Sequence, residues 1–243
     1  TDAYKVSGRG ELHLSVLIED MRREGFELQV SRPEVIVRDI DGVKQEPMEQ
    51  VIIDVPEDFS GTIINLLAVR KGEMVDMHSH EGHARMEFKV PTRGLLGFRS
   101  KFIIETRGEG ILTHSFSHYE PWKGDLPGRQ EGSMISMVSG EAVAYALWGL
   151  QERGTMFVKP QTKVYEGMVI GESAKSEDLV VNPTKEKKLS NVRASGSDEA
   201  INLVPVNEMT LEQALEYVAD DELVEVTPKS IRLRKKPLTD NER

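Results

Sequence analysis

The sequence predicts an α+β protein in which a partial and a complete ferredoxin-like (split βαβ) domain are followed by a β-rich domain with one late helix. Three observations carry that prediction. Residues 48–118 read as strand, helix, strand, strand, helix, strand, the order of the split βαβ fold. Residues 4–30 read as strand, helix, strand, which matches the second half of the same unit. From residue 133 onward short β-type runs dominate. The expected domains are therefore 1–38, 39–120 and 121–243.

Each element has a local reason. Residues 4–6 form a short apolar run before the turn at Gly8 and Gly10. Leu14, Leu17, Ile18 and Met21 recur at helical spacing, and Gly25 stops that helix after Arg22 and Arg23, cations suited to a helix C-terminus. Phe26, Leu28 and Val30 alternate as a strand. Such a half-unit has too little apolar surface to stand alone, so further residues upstream are expected. Residues 39–47 read as a polar connector with Gly42 in a turn. Val51, Ile53 and Val55 alternate as a strand, and Phe59, Ile63, Leu66 and Leu67 make a helical stripe closed by Gly72. Residues 74–77 and 84–90 read as a hairpin, Leu95, Phe98 and Phe102 as a second helical face ended by Gly108, and residues 111–118 as a last strand. The predicted core of this domain is Phe59, Ile63, Leu67, Leu95, Phe98 and Phe102.

Pro121, Gly124, Pro127, Gly128 and Gly132 then mark a linker. Strands are expected at 133–138, 142–147, 163–171 and 201–206. Thr210 with Gln213 fits a capping box for a helix carrying Leu211, Leu215 and Val218. Strands at 223–227 and 230–234, separated by Pro228, close the chain.

Composition excludes several classes. No run of about 18 apolar residues occurs, so no transmembrane helix is expected. The first residues have neither the apolar core nor the cleavage pattern of a signal peptide. With no cysteine, disulfides and thiolate zinc sites are impossible; a cytoplasmic location is expected. The net charge of −10 is unevenly placed: residues 198–225 hold nine acids and no Lys or Arg, leaving a near-neutral remainder. Local fields act over about 8–10 Å, so a basic segment can still bind phosphate.

That segment is 182–195, where Lys185, Lys187, Lys188 and Arg193 stand against the single acid Glu186. Flanked by the apolar runs 179–181 and 201–206, it reads as a projecting loop that needs water or a polyanion. Asn191 adds a group able to hydrogen-bond a base or sugar. Arg93, Arg99 and Lys101 flank the helix at 95–102 and suit either a phosphate backbone or an ordinary polar helix face. Tyr119, Trp122, Tyr145 and Trp148 could stack on bases, but core packing is expected for Tyr145 and Trp148, which lie in an apolar run. His78, His80 and His83 resemble a metal site only superficially and read as solvated turn histidines. No nucleophile–base pair and no G-x-x-x-x-G-K-[S/T] phosphate loop occurs, so neither catalysis nor GTP binding is expected of this chain.

Several runs, taken together, resemble a known family. SGRGELHL at 7–14, with the helix and strand that follow, resembles the end of domain III in translational GTPases of the elongation factor G type. TRGLLGFRS at 92–100 resembles the second helix of their domain V. VYEGMVIG at 164–171, KLSNVRAS at 188–195 and MTLEQALE at 209–216 resemble the C-terminal domain of the BipA (TypA) branch. Elongation factor G and the LepA-type factor share the earlier features but not that final domain. Ser190 and Val192 stand where the family usually shows Thr and Met, without disturbing the basic residues.

The resemblance implies a ribosome-binding GTPase whose G domain and β-barrel, with GTP and Mg, lie upstream, and which is associated with ribosome assembly and growth under stress or cold. It implies that the loop 182–195 approaches large-subunit rRNA and the acceptor end of A-site tRNA. A monomer is expected. The alternative is a protein-interaction module that uses the acidic face and the sheets, the basic loop being incidental.

Overall fold

The computed structural model describes residues 3–186 and 202–243. In chain order, α1 (Glu11–Arg23) and β1 (Leu28–Val30) come first. Then follow β2 (Arg38–Ile40), β3 (Val43–Pro56), α2 (Glu57–Val69), β4 (Glu73–His80), β5 (His83–Pro91), α3 (Thr92–Leu95), α4 (Phe98–Glu105) and β6 (Ile111–Pro121). The remaining elements are β7 (Ser133–Ser136), β8 (Gly140–Glu141), α5 (Ala144–Leu150), β9 (Gly154–Met156), β10 (Lys163–Val164), β11 (Met168–Ser173), β12 (Leu179–Val181), α6 (Leu211–Tyr217), β13 (Glu222–Val226) and β14 (Ile231–Lys235). They group into two compact units, Pro33–Gly128 and Thr1–Arg32 with Arg129–Arg243.

The unit Pro33–Gly128 is a ferredoxin-like sandwich. Its antiparallel strands lie in the order β6-β3-β5-β4, and β2 adds a hairpin to the start of β3. Strand alternation sends Val51, Ile53 and Val55 inward, opposite Ala84, Met86 and Phe88 of β5 in strand register. Ile63 and Leu67 of α2 and Phe98 and Phe102 of α4 complete this buried core, with Phe59 and Leu95 half-buried against it. The polar connector expected at 39–47 is instead a hairpin. Asp41 and Gly42 both take positive φ, as do Glu81 and Gly82 between β4 and β5, the geometry of a two-residue turn that suits twisted strands. The helical face expected through residue 95 is broken in two, because Gly97 is left-handed and restarts the helix at Phe98.

The second unit builds one sheet from strands far apart in sequence, ordered β1-β13-β14-β11-β7-β12, with β9 also on β11. Residues 1–38 are expected as half of a separate ferredoxin-like unit, distinct from the C-terminal domain. Here β1 pairs with β13, Leu28 opposite Val226, and Ile18 of α1 is buried with Val169, Leu211, Leu215 and Val224. An isolated β-α-β half leaves its strands without a ladder, and pairing with β13 supplies one. The expected strand at 4–6 is absent, and Tyr4 and Val6 are exposed.

Two other expectations change. Residues 142–147 do not form a strand; α5 begins at Ala144. An apolar run of this length fits either period, and its alanines favour helix, with Leu147 and Leu150 turned into the core. Residues 202–206 form no strand either. Leu203 and Val206 pack on the core of Met134, Leu147, Met156 and Ile170, while the Val204 N–H donates to the Gln151 side chain at 2.9 Å, not to a ladder. The capping box is as read: Gln213 N donates to Thr210 Oγ1 at 3.3 Å and Thr210 N to Gln213 Oε1 at 3.0 Å.

A buried polar cluster pins the sheet. Lys235 Nζ lies 2.7 Å from Asp178, 2.8 Å from Asp221 and 3.0 Å from Glu222. Arg129 donates to both Glu222 oxygens at 3.0 and 3.1 Å, and Ser133 Oγ and the Ala219 N–H donate to the same carboxylate at 2.7 and 2.9 Å. Burial alone would raise the Glu222 pKa, but these donors bring it down to about 2.

Candidate nucleic-acid interface

The described residues before and after the basic segment are held by hydrogen bonds. On the entering side, Asn182 Oδ1 accepts from the Thr184 N–H at 2.9 Å and from Thr184 Oγ1 at 2.8 Å, an Asx turn. The Pro183 carbonyl accepts from the Val143 N–H at 2.9 Å, at the N-terminus of α5. On the leaving side, Gln151 at the C-terminus of α5 donates to the Asn202 carbonyl at 3.2 Å and accepts from the Val204 N–H. Helix α5 therefore bridges the two attachment points. Seven residues at about 1.5 Å each make it about 10 Å long.

Lys185 is exposed on the entering side. Lys187, Lys188, Asn191 and Arg193 lie outside the described residues. In the other unit, Arg99 and Lys101 are exposed on α4 and form no ion pair among the described residues. Arg99 lies close enough to His114 to oppose its protonation.

Arg93, expected as a phosphate contact, is instead engaged inside its own unit. It forms a two-pronged pair with the fully buried Glu46 at 2.5 and 3.0 Å, donates to the Gly124 carbonyl, and stacks 3.7 Å from the Trp122 ring centroid. Its guanidinium offsets a carboxylate that has no access to water, and releasing it to a phosphate would strand that charge. Trp122 is covered from Lys44 as well, whose Nζ is 3.7 Å from the ring centroid, and Tyr119 carries Arg38 at 4.5 Å. Neither aromatic presents a free face on the side its cation covers.

Tyr145 and Trp148 reverse the expectation for them. They are 39% and 42% exposed, on the side of α5 away from Leu147 and Leu150. The signal was present in the sequence: once 144–150 is a helix, Tyr145 and Trp148 fall three apart on one face, and the leucines on another. The histidines 78, 80 and 83 sit at and beside the β4–β5 turn as solvated side chains; His78 pairs with Asp76 at 2.8 Å, and no group of metal-ligating side chains occurs among the described residues. His114 Nδ1 meets Glu49 on the β3–β6 ladder. That hydrogen bond raises the His114 pKa despite partial burial, and it lowers that of Glu49 against the desolvation that would raise it.

Among the described residues no helix is long and apolar enough to cross a membrane. Residues 131–240 match the TypA/BipA C-terminal domain, and residues 43–130 match the elongation factor G C-terminus. Proteins named large ribosomal subunit assembly factor BipA from Escherichia coli K12 and Haemophilus influenzae are 56% identical over all of this chain, and one from Bacillus subtilis 168 is 52% identical. The chain spans about 40% of the length of these relatives.

Proposed function

This chain belongs to the TypA/BipA family, and from that premise we propose that it is the ribosome-binding C-terminal part of a translational GTPase acting in large-subunit assembly. In this reading the basic segment meets large-subunit rRNA and the acceptor end of A-site tRNA, and Arg99 and Lys101 meet phosphate from the other unit. The whole protein works in the cytoplasm, in ribosome assembly and in growth under stress or cold. GTP chemistry belongs to a separate G domain, and this chain neither binds nor hydrolyses GTP.

The observation that carries the proposal is the mounting of the segment. In sequence its cations lie between Pro183 and Asn202, two residues hydrogen-bonded to the two ends of one short helix. Relatives at 52–56% identity named for large-subunit assembly supply the polyanion that such a segment needs. Arg93 drops out of the contact set because Glu46 holds it.

Sedimentation with large ribosomal subunits at two salt concentrations tests this. Affinity should fall steeply with salt, each phosphate-paired cation adding roughly 0.7–0.9 to the slope. Replacing Lys187, Lys188 and Arg193 together with Ala should weaken binding and flatten the slope with the melting temperature unchanged. If the triple variant binds as tightly with the same slope, the loop is not the contact, and binding through the acidic face takes its place.

A further inference from the structure

Strand β6 stands out in an acidic chain, because residues 111–119 carry no Asp or Glu. Among the described residues it pairs with β3 alone, so its outer edge is open. Edge strands are commonly guarded by charged side chains, and this one presents Phe116 instead, 61% exposed. His114 stands on the same side of the strand, two residues back and about 6.7 Å away along it. Ser117 has no partner on β3, and this bulge brings Tyr119 round to Phe116, the ring centroids 5.8 Å apart. Tyr119 carries Arg38, whereas among the described residues no cation covers the Phe116 ring.

The cations beside this ring lack acid partners. Arg38 lies over Tyr119, and Arg99 of α4 is close enough to His114 to oppose its protonation. Both arginines are exposed, and neither forms an ion pair among the described residues. The neighbouring carboxylates are already engaged, Glu49 by His114 and Glu120 by Lys89, Lys123 and His118. Charge complementarity therefore calls for an anion from outside the chain, and guanidinium groups suit phosphate. A single exposed ring falls far short of the roughly 800 Å² that a stable protein interface takes from each partner, but it is enough for one base.

We propose that Phe116 stacks on an unpaired RNA base while Arg99 and Arg38 meet the phosphates on either side of it. The proposal rests on the reading above in which Arg99 meets phosphate, and it adds the recognition of a base beside that contact. Stacking on an aromatic face tolerates any base, so the site selects single-stranded over paired RNA and not one sequence over another.

The test separates base from phosphate. Fluorescence anisotropy would compare a labelled short oligoadenylate with an abasic oligomer of the same length, which keeps the phosphates and lacks the π faces. The parent should bind the oligoadenylate roughly 5- to 150-fold tighter, the range that stacking of one base provides. Phe116→Leu should remove that preference and Phe116→Tyr should keep it, with the melting temperature of each unchanged because the side chain is exposed. Arg38→Ala with Arg99→Ala should weaken both oligomers alike and reduce the salt slope by roughly 1.4, two cations at about 0.7 each on a single strand. A preference that survives Phe116→Leu overturns the site and leaves the RNA reading standing, as does equal, salt-sensitive binding of both oligomers by the parent. Weaker sedimentation of Phe116→Leu with large ribosomal subunits, without any change toward either oligomer, marks a protein contact and also overturns the site. No binding of either oligomer by the parent overturns the site and the RNA reading together.

Discussion

The two units reach a stable core by different means. In Pro33–Gly128 the long strands β3 and β5 run antiparallel for nine residue pairs, and the interior they share with α2 and α4 is apolar: Val51, Ile53, Met86, Phe88, Phe98. The other unit gathers strands of two to six residues from both ends of the chain. Its apolar side chains fall into two clusters, and a Lys235–Glu222–Arg129 core of charges joins β14, β13 and the segment before β7. Long regular elements specify their own register through alternation. Short strands do so weakly, and here the buried charges of Lys235, Glu222 and Arg129 tie β14, β13 and the segment before β7 to one another. The chain holds two tryptophans, Trp122 in the first unit and Trp148 in the second, so each unit can be followed separately.

The largest effect is expected from Glu222→Ala, which removes the carboxylate that Arg129 pairs with in the interior and leaves Lys235 with Asp178 and Asp221 alone. Breaking a buried pair this way costs about 5 kcal/mol, and urea unfolding followed at Trp148 should shift strongly or lose its native baseline. Because the Glu222 pKa is lowered to about 2, its stabilisation is present above the ordinary carboxylate value of 4.5 and is lost as pH falls through about 2. Acid unfolding at the Trp148 probe should track that window. A transition that moved no more than a surface substitution would show that the charges do not pin the sheet.

Phe98→Ala should come next, at about 4 kcal/mol, for a ring that is fully buried in the core formed with Ile63, Leu67 and the inward residues of β3 and β5. The shift should appear at Trp122. A smaller loss, about 1 kcal/mol, is expected from Thr210→Ala, which removes the acceptor of the α6 capping box. Circular dichroism melting of the two variants would rank them; an equal loss would mean that packing and capping contribute alike here.

The smallest effect belongs to the partly exposed His114–Glu49 pair, about 0.5 kcal/mol by the range for such pairs. Its direction with pH is the sharper test. His114 has a raised pKa, so its contribution is full below 6.5 and is lost as pH rises through the raised folded value. Glu49 has a lowered pKa, so its contribution is full above 4.5 and is lost as pH falls through the lowered folded value. The stability difference between the parent and His114→Ala should therefore peak between those two pH values. A difference that grew above neutral pH would contradict the pairing.

Legibility in the sequence follows the same division. Val51, Ile53 and Val55, the stripe of Ile63 and Leu67, and the turn glycines specify the ferredoxin-like unit because each element there shows its own period over several residues. The basic segment, the Thr210–Gln213 capping box and the family resemblance were legible for a related reason: each is written in consecutive residues. What tertiary structure alone decided lies between distant residues. The engagement of Arg93 depends on Glu46, far back in the chain, and the buried charge of Lys235 on Asp178 and Glu222. The exposure of Tyr145 and Trp148 depends on which side of α5 the core of Met134 and Ile170 occupies. Local pattern determined the main strands and helices of the ferredoxin-like unit, the α6 helix and the cations, but not residues 4–6, 142–147 or 202–206, which form no strand. Only packing determined which cations were left free and which aromatics faced water, because both are settled by partners that no spacing along the chain can name.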